Sequence, residues 1–248
     1  MVIRLVSAAL VAGFLAAVVA TGLQIALTSP LILRAETYET RAALATPALS
    51  RLILPARILR VHGGEHHADP GAEPDWQPAP GVERLAYTGL ATLVGGVGYA
   101  LLLGAVLTAL RRVPTPESGL AVGIAGFLSV SLAPAVGLPP ELPGMDAAVL
   151  ELRQAWWIMT VTATGLGLYL IAVRRVPLTI IGGLILIVAP HLAGAPHGDD
   201  TASKLPAAYA AQFAARSLAI GFVFWAVIGL AYGWAWGLFG RGRATARA

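Results

Sequence analysis

Residues 138–157 begin Leu138-Pro139-Pro140-Glu141-Leu142-Pro143-Gly144, continue from Met145 to Leu152, and close with Arg153-Gln154-Ala155-Trp156-Trp157. Proline fixes φ and has no N–H, so Pro139, Pro140 and Pro143 preclude a helix running through this stretch. The chain must stop and turn here, and the apolar runs on either side are separate helices whose ends meet. Trp156 and Trp157 suit a water–lipid boundary, where the ring is buried and the N–H stays wet. A stiff loop followed by an aromatic belt accounts for the prolines and tryptophans without any function. It does not account for Glu141 and Arg153 beside them.

Outward from this turn the chain is strongly apolar: 57% of its 248 residues are hydrophobic and 12% charged, with a mean hydropathy of +0.74. That pattern predicts an all-α, polytopic membrane helix bundle. Crossing the hydrocarbon layer takes about 20 apolar residues. Six stretches approach that length: Leu5–Ser29, Leu85–Leu110, Gly119–Gly137, Gln154–Val173, Val176–Ala193 and Phe213–Phe239. Residues 1–248 read as a single integral membrane domain, with 30–84 as one long extracytoplasmic loop of about 55 residues carrying a His-rich segment. Arg4 before an apolar run, with Ala20 as a cleavage point, resembles a secretory signal. The run continues to Leu33, too long for a signal core, so the expectation is an uncleaved first span.

Charge placement gives an orientation. Short cytoplasmic loops accumulate Arg and Lys. Alternate connections hold Arg4, the pair Arg111 and Arg112, the pair Arg174 and Arg175, and Arg241, Arg243 and Arg247. Both termini are therefore expected in the cytoplasm. Of the 13 Asp and Glu residues, Glu117 alone then falls on the cytoplasmic side, while all five histidines fall outside. Cysteine is absent, which excludes thiolate metal sites and disulfides. The net charge of +4 follows loop positions and gives no indication of nucleic-acid binding.

The candidate ligands lie on the outer side. Glu36 and Glu39 are three residues apart, one helical turn if helix resumes after Pro30, and can share a cation. The same spacing fits an interfacial helix whose acids pair with Arg34 and Arg41. Gln24 lies inside the first span and needs a partner there. His62, Glu65, His66, His67 and Asp69 form a Gly-flanked tract suited to Co, Ni, Cu or Zn, with a solvated linker as the lesser alternative. His191 ends the fifth span, where an ionisable group is costly without a partner; a backbone carbonyl would also satisfy it. His197 and Asp199 follow closely. Arg153 and Arg216 are the cations available to neutralise a carboxylate cluster, which would otherwise raise its own pKa values.

The blocks Pro30-Leu31-Ile32-Leu33 with Glu36, Tyr38 and Glu39, Asp75-Trp76-Gln77-Pro78, Gly81-Val82-Glu83-Arg84, Pro139 to Gly144, Arg153 to Trp157, and Ala195-Pro196 with Pro206 resemble the CbtA family of probable cobalt transporter subunits over nearly the whole chain. The resemblance implies about five spans, against the six counted above. It also implies cobalt supply for cobalamin synthesis and a small one-span, His-bearing partner. No ATP-binding loop, nucleophile elbow or H-E-x-x-H motif occurs, so the chain is expected to be no enzyme and to hold no tight cofactor, its metal being cargo. The expected function is a membrane component of a cobalt uptake system: outer-loop histidines concentrate the ion, and Glu36, Glu39, Glu141 and His191 guide it between the spans. The alternative is a structural or assembly component of a larger membrane complex.

Overall fold

The structure, a computed structural model, describes residues 1–45, 78–79, 81–145, 147–198 and 205–245, side chains at 39–45 and 241–245 excepted. Its helices are α1 (Val2–Leu23), α2 (Ser29–Ala45), α3 (Val82–Ala109), α4 (Pro116–Gly126), α5 (Ala133–Gly137), α6 (Leu150–Tyr169), α7 (Pro177–Ala193) and α8 (Ala207–Thr245). π-Helical turns at Gln24–Thr28 and Phe127–Leu132 fuse α1 to α2 and α4 to α5, and a third, Leu170–Arg174, extends α6. The helical bundle expected from the apolar pattern is the fold observed. Among the described residues, five rods are long and apolar enough to cross a membrane: Val2–Tyr38, Val82–Ala109, Pro116–Gly137, Leu150–Arg174 and Ala207–Gly240. The sixth predicted span, α7, is apolar but has 17 residues, about 25 Å of rise against a hydrocarbon layer of about 30 Å.

Where the sequence placed the end of the first span at Ser29, the helix runs on through Pro30. Proline removes one donor from the helical ladder, and a π turn precedes it, where Thr28 Oγ1 donates to the Gln24 carbonyl at 3.0 Å and the Arg216 guanidinium donates to the Leu27 carbonyl at 2.8 Å. Gln24 finds its partner in α3, where Thr92 Oγ1 donates to its side-chain oxygen at 3.4 Å. The predicted stop after α5 is present, and residues 138–145 and 147–149 lie in the turn, with Gly144 at φ +81°.

Helix α8 is central, packed against α1 on one side and α4 on the other; α3 lies outside α1, and α6 and α7 form a hairpin beyond α4 and α5. The core is built from small residues. Ala8, Ala9, Ala12, Ala16 and Ala235 are fully buried around Leu103, Leu107, Ile228 and Tyr232, while Leu10, Phe14 and Val18 of α1 point outward. This inversion of residue size is what helices need in lipid, where apolar burial gives no advantage and close van der Waals packing does. A Cβ at Gly229 of α8 would fall on the Gly119 carbonyl of α4, and Gly167 of α6 meets Gly183 of α7 in the same way.

These contacts sort the rod ends. The Arg4 guanidinium lies 4.2 Å over the Trp236 ring and donates to the Trp236 carbonyl through Nε at 2.8 Å; Gly233 abuts Thr115. Arg4, Arg111, Arg112, Arg174 and Arg175 thus share one end of the bundle. The proline turn, Glu36 and His191 lie at the other.

Candidate functional site

At that second end, Leu142 of the turn is buried against Leu31 and Ala35 of α2, so the loop is clamped between the first rod and the α6 entrance. Fixing Leu142 fixes Glu141, whose carboxylate lies 3.3 Å from the Arg153 guanidinium, the two side chains 21% and 31% exposed. The pair lines a recess of about 300 Å³ with Ser131, Pro140, Trp157 and Ser217. One carboxylate, one guanidinium and two hydroxyls face a half-closed volume between α5, α6 and α8. Arg153 is the cation expected to neutralise Glu141, and it does so directly.

The two tryptophans separate. Trp157 is 38% exposed and donates from Nε1 to the Val130 carbonyl at 3.3 Å. Trp156 is buried instead of lying in an interfacial belt, with its ring against Gly137 and Ala195 and 6.0 Å from the His191 imidazole in an edge-to-face arrangement. Neither Trp156 Nε1 nor His191 Nδ1 has a hydrogen-bond partner among the described residues, so the backbone-carbonyl alternative for His191 Nδ1 is not realised there.

Glu36 is held elsewhere. Both its oxygens accept from Arg84 of α3, at 2.6 and 3.3 Å, a fork that ties α2 to α3 across the long loop. A carboxylate near the end of one predicted span facing an arginine at the start of the next was a signal available in the sequence. Arg216 has no acid beside it among the described residues; it donates to Leu27 and, at 3.5 Å, to Gln212. Its site is the π turn Gln24–Thr28, whose Leu27 carbonyl it takes.

Glu36, Glu141 and His191 therefore do not converge. Among the described residues no three of His, Cys, Asp and Glu gather into a group able to hold a metal. His197 is exposed in the loop after α7. His62, His66, His67, Asp199 and the side chain of Glu39 lie outside the described residues. What the described end of the bundle offers is a set of separate polar stations, two of them carboxylates already occupied by a guanidinium.

No curated protein and no solved structure matches the chain. A family model does, over residues 2–237, and its description is probable cobalt transporter subunit (CbtA). With a match over nearly the whole helical bundle, the chain belongs to the CbtA family of probable cobalt transporter subunits.

Proposed function

We propose that this chain is the membrane-embedded component of a cobalt uptake system in a bacterial inner membrane, acting with a small one-span, His-bearing partner. The observation that carries the reading is the Glu141–Arg153 pair in its recess, at the end of the bundle opposite the clustered arginines. A guanidinium holding a carboxylate is a charge-balanced resting state, and an arriving divalent cation can take the same carboxylate by displacing it. Ser131 and Ser217 add hard oxygen donors of the kind that accept a partly hydrated ion. Glu36 under Arg84 is a second station of the same design. Stations in series, each of few ligands, suit conduction, because a site must bind strongly enough to be entered and weakly enough to be left.

In this reading His62, His66, His67, His197 and Asp199 collect the ion outside, Glu36 with Glu39 and Glu141 receive it, and His191 lies beside the α6–α7 seam. Both termini face the cytoplasm in this reading, which the arginines gathered at that end support. The test is uptake of radiolabelled cobalt into proteoliposomes holding this chain and its small partner. Uptake above that of empty vesicles, lost in Glu141→Gln, is expected. Folded protein with partner bound and no uptake would favour the assembly-component reading.

A further inference from the structure

Four of the five buried side-chain N and O atoms without a partner among the described residues belong to one helix pair: Trp156 Nε1, Thr160 Oγ1 and Thr164 Oγ1 on α6, and His191 Nδ1 on α7. Trp156, Thr160 and Thr164 are 6%, 0% and 3% exposed. Their spacing of four places them in one row along α6. The row starts at His191 and is continued by Gly167, which touches Gly183 and Ile187 of α7, so it follows the α6–α7 seam. Pro190, in the last turn of α7, adds to it by having no N–H for the Leu186 carbonyl.

The rotamers are informative. A threonine in a membrane helix commonly satisfies its hydroxyl on the carbonyl four residues back. Thr28, Thr88, Thr92 and Thr108 all do so, whereas Thr160 and Thr164 do not. An unsatisfied buried polar atom is costly, and four of them along one seam are too many to be left as they stand. An indole N–H only donates, which rules out a bare cation as the common occupant. A hydroxyl both donates and accepts, and His191 Nδ1 does one or the other according to its tautomer. Water alone matches this mixture.

We propose that the α6–α7 seam binds a file of water molecules running from His191 past Trp156 to Thr160 and Thr164, and that this file, not the alanine-packed α1–α8 core, is the cargo's way into the bundle. The cargo clause rests on the transport reading above; the water file does not.

X-ray radiolytic labelling of the full-length protein in detergent separates the two, because bound water generates hydroxyl radical in place and labels side chains that bulk solvent does not reach. Trp225 is the control: it is 4% exposed, and its N–H is already satisfied by Ser131 Oγ. Trp156 should be oxidised several-fold faster than Trp225, and Thr160→Val with Thr164→Val, which preserves shape, should remove that excess. Equal rates for the two indoles would overturn the water file, as would a double variant that melts higher than wild type, the sign of hydroxyls that had no partner. If the file is present, the double variant should lower radiolabelled cobalt uptake at least several-fold; undiminished uptake would overturn the cargo clause. No uptake by the wild-type protein would overturn the transport reading and that clause with it, leaving the labelling result to decide the water file.

Discussion

Replacing Arg153 with Gln is expected to tighten cation binding at Glu141, although it removes a stabilising partner. At 3.3 Å the two charges attract by about 5 kcal/mol at an effective dielectric of about 20. Most of that is offset by lost hydration. Exposed pairs retain about 0.2–1 kcal/mol, and a fully buried charge deprived of its partner costs about 3–5 kcal/mol. With side chains 31% and 21% exposed the pair lies nearer the first limit, at a net value of about 1 kcal/mol. A cation must displace the guanidinium against that amount, so Arg153→Gln should lower its dissociation constant about fivefold. The assay is equilibrium binding of radiolabelled cobalt to purified protein by scintillation proximity, in a background with His62, His66 and His67 replaced by Ala so that the tract does not mask the site. Glu141→Gln in the same background sets the baseline. Weaker binding in Arg153→Gln, or binding in Glu141→Gln equal to that of the parent, would refute the displacement argument. So would thermal shifts of Arg153→Gln and Glu141→Gln that add within about 0.5 kcal/mol in the double variant, since a working pair must couple.

Three further outcomes are expected. Gly229→Val should cost about 1–3 kcal/mol or more by forcing α8 off α4, seen as loss of the monodisperse peak in gel filtration, whereas Gly95→Ala, with nothing within 4 Å of an added Cβ, should elute as wild type. Since the chain has no cysteine, Glu151→Cys should react with an impermeant maleimide in intact cells and Val113→Cys only after permeabilisation; the reverse pattern would put every candidate ligand in the wrong compartment. Replacing His62, His66 and His67 together with Ala should raise the cobalt concentration for half-maximal uptake and spare the saturating rate, while Glu141→Gln should cut the saturating rate; equal small effects would count against a collecting tract feeding a path.

Hydropathy, proline chemistry and loop charge act locally, so the membrane class, the helical rods, the stop at Pro139-Pro140 and the gathering of Arg4, Arg111, Arg112, Arg174 and Arg175 at one end were all legible in the chain before it folded. So was Arg153 as a partner for Glu141, twelve residues away along the chain. Long-range partners emerged only in three dimensions. Arg84 takes Glu36 from 48 residues away, and Arg216 turns to a carbonyl in a π turn of another rod. Trp156 goes in while its neighbour Trp157 stays out. The physical reason is that a membrane span is apolar on every face, so hydropathy no longer marks the face that packs. That face is chosen by size, where Ala and Gly let backbones approach and large side chains are turned to lipid, and by which polar atoms find each other once the rods are side by side.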